Sequence, residues 1–377
     1  MTDKKTQYDY VIVGAGLYGA VFAYLLKSSG KRCIVIDKRN HIGGNIYCDN
    51  MNGINVHKYG PHIFHTSNKK IWNFVNLFVP FNNFIYSPLA NYKGNLYNLP
   101  FNMNTFYQLW RTATPEQAKK IIAEQVKAYS VKTSKNLEEQ ALSLIGFDLY
   151  QTFIKGYTEK QWGRDAKEVP AFIIKRIPLR YTFDNNYFED IYQGIPIGGY
   201  NLLINKLLNG IEVKLNTNLL ENKKHFERIS EKILYTGRID EFYNYALGKL
   251  EYRSLYFETE ILDMENYQGN AAINYTEKDI LYTRIIEHKH FEFGKQKHTV
   301  ITKEYPVNSN CTNESYYPIN DKKNNSIYNH YKERAQLQAQ YIFGGRLGDY
   351  KYYDMDDTIK AAFEMAEQEL NFKHPVS

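Results

Sequence analysis

Three observations predict an α/β fold in which a parallel sheet is interrupted by helices and accompanied by an antiparallel sheet. The apolar run Tyr10–Val13 leads into Gly14-Ala15-Gly16-Leu17-Tyr18-Gly19, and Asp37 follows 23 residues after Gly14, closing the apolar run Cys33–Ile36. From about Pro80 to Trp162 the texture turns helical. Residues 251–305 then alternate apolar and polar in short runs, the period of strands with one solvated face.

The first block has the order strand, glycine turn, helix, strand, acid. Gly14 permits a tight turn, Gly16 lets backbone approach a pyrophosphate, and Gly19 lets helix and strand pack closely. The helix from about Leu17 to Ser29 offers its free N–H groups and positive dipole end to phosphates. Asp37 is placed to accept from a ribose hydroxyl, and Lys38, Gly44 and Asn45 follow in a loop that brings backbone back to the dinucleotide. This is a Rossmann-like pattern. Thr114-Pro115-Glu116-Gln117 is a helix start with a capping box, Asn136 opens a second helix that stops near Gly146, and a third runs from about Asp148 to Lys155. Residues 180–200 and 306–326 read as loops. Ile211–Leu215, Lys232–Tyr235 and a strand from about Ala339 return to the parallel sheet, and a helix from about Asp356 to Leu370 closes the fold. The expected organisation is a discontinuous Rossmann-like domain (1–78, 193–245, 330–377), a helical domain (79–165) and an antiparallel sheet domain (166–192 with 246–329).

Bulk composition excludes several classes. Net charge is +6, but Lys and Arg are scattered, so no nucleic-acid stripe is expected; a mild positive balance suits an anionic small substrate. Cys33, Cys48 and Cys311 are odd in number and irregularly spaced, which gives neither a disulfide framework nor a zinc pattern and suits a reducing cytoplasm. The polar N-terminus carries no signal-peptide pattern, and no apolar run approaches the roughly 20 residues of a membrane span. His62 and His65 lie three apart with no third ligand suggested, so no metal is expected. The 34 tyrosines are mostly a compositional bias.

FAD is favoured over NAD because Gly344-Gly345-Arg346 lies near the C-terminus. A late segment of that kind closes a flavin domain, and Arg346 can reach the pyrophosphate or the ring system. Phe153, Tyr157 and Trp162 are four and five apart, a spacing that gathers side chains on one side of a helix.

The glycine fingerprint, His41-Ile42-Gly43-Gly44-Asn45, His57 to Thr66, Gly156-Tyr157-Thr158-Glu159-Lys160-Gln161-Trp162, Tyr181 to Asn185, Tyr282 to His288 and Phe343 to Gly348 together resemble bacterial UDP-galactopyranose mutases over nearly the whole chain, from about Tyr8 to Leu370. The resemblance implies interconversion of UDP-galactopyranose and UDP-galactofuranose for cell-surface polysaccharide. It implies FAD that is active when reduced, its N5 attacking the anomeric carbon as UDP leaves. A UDP-sugar substrate, a cytoplasmic location and a homodimer follow from the same resemblance. It puts Arg176 and Arg284 on the diphosphate with Arg253 as a further candidate, and makes the segment near 168–180 a mobile lid. His62 and His65 fall by the flavin and sugar. Tyr187, Tyr317 and Tyr352 fall on phosphate oxygens, Asp354 on the sugar, and Phe153, Tyr157 and Trp162 on the uracil. An amine-oxidase-like FAD oxidoreductase is the rival on the same fold, and a non-catalytic UDP-sugar binder ranks last.

Overall fold

The computed structural model describes residues 6–129, 131, 133–174, 177–308 and 314–370. Its five-stranded parallel sheet runs, edge to edge, Tyr341–Phe343, Ser230–Tyr235, Tyr8–Val13, Cys33–Ile36 and Glu212–Lys214. Both faces are covered, so the central strand is apolar on both sides: Val11 and Ile12 are each wholly buried. Ile12 faces a core with Val21, Phe22, Leu26, Leu203, Ile204 and Ile359, from the helices Leu17–Ser28, Tyr200–Leu207 and Met355–Leu370. Val11 faces Ile34, Ile233, Phe242 and Tyr331, the last from the helix Lys322–Gln336.

A second sheet has seven strands in the order Tyr317–Pro318, Tyr252–Leu262, Thr299–Asn308, Arg284–Glu287, Ala272–Tyr275, Leu89–Tyr92 and Asn95–Asn98. All neighbours are antiparallel except the pair Ala272–Tyr275 and Leu89–Tyr92. The predicted starts of the helical segment hold. Thr114 Oγ1 accepts from the Gln117 amide while the Gln117 side chain accepts from the Thr114 amide, and Asn136 accepts from the Glu139 amide.

Three expectations fail. Residues 180–200, read as a loop, contain the short strand Tyr192–Gly194, paired antiparallel with Phe64–Thr66. The stretch from Pro80, read as helical, opens with the hairpin Leu89–Asn98. Lys93 and Gly94 turn it with φ of +52° and +76°, the paired left-handed geometry that suits a twisted hairpin. Its short alternation was hidden by the polar residues of an edge strand. The polar run after residue 306 ends earlier than expected, because Asp321 accepts from the Asn324 amide and starts the helix Lys322–Gln336.

Candidate active site

The glycine turn and the Gly43-Gly44 loop press backbone against backbone. Gly43 N–H donates to Ala15 O at 2.8 Å, and a Cβ on Gly44 would sit 2.8 Å from Gly16 Cα. A Cβ on Gly19 would sit 2.0 Å from Gly14 O, so the helix packs as closely on the strand as the fingerprint requires. Gly16 caps the helix with no side-chain hydrogen bond, which leaves the first-turn N–H groups facing a cavity of about 580 Å³. Gly14, Gly16, Gly19, Asp37, Lys38, Gly44, Asn45, His62 and Arg346 all line that cavity. Asp37 is fixed by the amides of Ala15 (2.7 Å) and Arg39 (2.9 Å), one on each carboxylate oxygen. Each oxygen keeps a lone pair for a ribose hydroxyl. An uncapped helix end, a glycine cradle and an oriented carboxylate fit the pyrophosphate and ribose of FAD.

Arg346 leads out of this cavity. Its Nη2 donates to Tyr353 O at 2.6 Å, and its guanidinium lies 5.3 Å and 5.1 Å from the ring centres of Tyr317 and Tyr352. Tyr352 donates to Asp354 at 3.0 Å. Next comes Arg284, whose Nε donates to Glu304 at 3.1 Å; Thr283 Oγ1 donates to the same oxygen at 2.8 Å. Burial opposes the charge on Arg284, but Glu304, with Tyr157, Tyr86 and Tyr317 beside it, drives its pKa well above the usual value. With Nε held, the terminal nitrogens are left to meet an anion. Tyr157 is pushed up to about 12, by burial first, so its hydroxyl stays a donor. Beyond it, Arg253 lies 3.2 Å from the centre of the Trp162 ring, and its Nη2 is buried without a hydrogen-bond partner. Burial lowers Arg253 to about 10, still cationic at neutral pH. Tyr187 is 43% exposed and meets Tyr86 edge to face at 5.5 Å.

Phe153 belongs to the core beside the helical segment. It is 4% exposed, packed against Tyr97 and Phe101 at 5.1 Å and 5.0 Å. Phe153 lies in the π-helical stretch Tyr150–Lys155, which precedes the α-helix Gly156–Trp162 that carries Tyr157 and Trp162.

His62 and His65 have different surroundings. His62 is partly buried; its Nδ1 bonds Gly60 O at 2.8 Å, so the neutral ring carries its proton there and Nε2 is an acceptor. Burial first, then Arg346 and Arg284, hold its pKa down to about 4. Both arginines therefore act on His62 electrostatically. His65 bonds Asp190 Oδ2 at 2.7 Å and stacks on Phe188 at 3.7 Å; it is absent from the cavity lining. Arg176 and Cys311 lie outside the described residues, as does part of the lid segment. Sequence reading missed Glu304, Tyr86 and Asp190, because each acts through a partner distant in the chain. Glu304 alone had a signal, being an acid facing Arg284 across paired strands.

Comparisons with known proteins agree with this geometry. Residues 152–352 match a family model described as UDP-galactopyranose mutase, and residues 12–78 match an NAD(P)-binding Rossmann-like domain. A dTDP-fucopyranose mutase of Escherichia coli is 41% identical over 95% of this chain and 97% of its own. A probable UDP-galactopyranose mutase of Klebsiella pneumoniae is 38% identical over 96% and 95%. The crystal structure of a reduced UDP-galactopyranose mutase superposes with a TM-score of 0.75 at 15% identity, covering 97% of this chain and 94% of that one. The chain is an isomerase that binds FAD, and it belongs to the UDP-galactopyranose mutase family.

Proposed function

We propose that this enzyme interconverts UDP-galactopyranose and UDP-galactofuranose, with FAD in its reduced form, for cell-surface glycan synthesis. The observation that carries the reading is the continuity of the site. His62 and Arg346 line the cradle, Arg346 lies over Tyr317 and Arg253 over Trp162, and Arg284 acts electrostatically on His62, Tyr317 and Tyr157. Reduced FAD supplies a nucleophilic N5 for the anomeric carbon. The protein's part is to hold the rest. Arg284, with Arg253 and Arg176, bears the diphosphate charge that develops as the anomeric C–O bond breaks. Tyr157, Tyr187 and Tyr317 donate to phosphate oxygens. Tyr157 and Trp162 flank the base, with Phe153 backing them from the core. Tyr352 and Asp354 meet the sugar. Neutral His62 accepts a proton or hydrogen bond at Nε2, and Asp190 orients His65. The same reading makes the protein a cytoplasmic homodimer with a closing lid near residues 168–180.

A second reading has its own support. The relative that is 41% identical is named a dTDP-fucopyranose mutase, so a dTDP-linked 6-deoxyhexose is the alternative substrate. One assay separates the readings. With dithionite under low oxygen, UDP-galactopyranose should yield a second UDP-sugar peak on anion exchange, faster than dTDP-fucopyranose yields its own. The reverse order would transfer the assignment. Turnover by oxidised enzyme, or peroxide from an amine, would overturn both in favour of an oxidase.

A further inference from the structure

Lys160 belongs to the Gly156–Trp162 helix but points away from the ligand space. Its Nζ donates to three backbone carbonyls, Tyr275 O at 2.7 Å, Glu277 O at 3.0 Å and Tyr282 O at 2.7 Å. Tyr275 ends the strand Ala272–Tyr275, and Glu277 and Tyr282 lie in the connection from it to the strand Arg284–Glu287. An ammonium has three hydrogens, and here each has an acceptor. The same contact is reinforced on either side. Thr276 Oγ1 donates to Thr152 O at 2.7 Å, Lys278 pairs with buried Glu159 at 3.2 Å, and a Cβ on Gly156 would sit 2.5 Å from Thr276 O. The helix carries Tyr157 and Trp162; the connection runs directly into Arg284.

We propose that Lys160 is a positioning residue that locks the base-flanking helix to the connection feeding Arg284, so that the base and diphosphate contacts form one rigid nucleotide clamp. The inference rests on the substrate reading above, which puts Tyr157 and Arg284 on the nucleotide. Burial lowers Lys160 to about 8, with Glu277 opposing the shift. The charged group acting on it is Glu277; the Glu159–Lys278 pair joins the same helix to the same connection, and the hydroxyls of Tyr275 and Tyr282, whose carbonyls it meets, are both raised by burial. Above about pH 8 a neutral amine has two hydrogens for three carbonyls, so the lock loosens as pH rises.

The test is UDP binding to FAD-loaded enzyme, by calorimetry, between pH 7 and 9, with dTDP as the parallel probe. Lys160→Met should raise the nucleotide Kd about ten-fold at pH 7, the scale of effect expected from misplacing a preorganised group, with the flavin spectrum unchanged. The parent Kd should climb several-fold between pH 7 and 9, and the Lys160→Met Kd should stay level. A merely structural lysine would give no such pH profile. Equal affinity of the two proteins, or a parent Kd flat across that range, overturns the inference; the parent titration decides it even if the variant fails to fold. Failure of the parent to bind either nucleotide would instead bring down the substrate reading itself.

Discussion

The cofactor cradle and the proposed nucleotide clamp are built on opposite plans. The cradle is made largely of backbone: an uncapped helix end, two glycine turns in contact, and one carboxylate held by amides. The clamp is made of side chains, and each key group is held by another: Arg284 by Glu304, Tyr352 by Asp354, the base-flanking helix by Lys160. Backbone sites tolerate side-chain change outside the glycines. Side-chain sites fail one contact at a time.

The contrast is open to attack. Arg284→Ala should cost turnover on the order of 10³-fold, as removal of a charge-stabilising donor does, while the protein stays yellow with full FAD absorbance. Loss of flavin would mean that cradle and clamp are not separable. Gly19→Ala should do the reverse. Its Cβ would collide with Gly14 O, and FAD affinity should fall roughly 10²-fold by flavin titration, in line with the close backbone contact that glycine permits. Retained colour would show that the turn adjusts.

His62 joins the two regions, and its effect appears in stability. Its folded pKa, about 4, lies below the unfolded value near 6.5, so the unfolded chain binds the proton first. The stabilisation is present above about pH 6.5 and is lost as pH falls toward 4. Urea unfolding at pH 5 should show the parent losing about 2 kcal/mol more than His62→Gln, relative to pH 7. Parallel pH curves would contradict the buried neutral ring. The smallest effect belongs to Phe153. Phe153→Leu should leave UDP affinity within about two-fold and lower stability by about 1 kcal/mol, the usual range for a core shape change. A large affinity loss would restore that ring to the base site.

How far the sequence could be read follows the same division. The glycine turn and its helix were legible, because Gly14 through Asp37 encode them within one βαβ unit and backbone needs are local. The parallel sheet, most of the antiparallel strands and the helix starts at Leu17, Pro115, Leu137, Tyr200 and Met355 were legible from alternation, caps and glycines. The clamp was readable only through likeness to a family, since Arg284, Tyr157 and Tyr317 have no mutual spacing that chemistry dictates. What escaped was what depends on pairing across the chain. Glu304 is significant only because the strands Arg284–Glu287 and Thr299–Asn308 are in register, and the hairpin at 89–98 only because its edge joins Ala272–Tyr275.

The π-helical stretch Tyr150–Lys155 gives the enzyme an unusual sensitivity to chain length. Deleting one residue there would turn Tyr157, Lys160 and Trp162 together by about 100°, the angular step of an α-helix, carrying the base contact and its anchor away from the sheet at once. Along this helix, a one-residue deletion should cost more nucleotide affinity than a substitution that keeps the count.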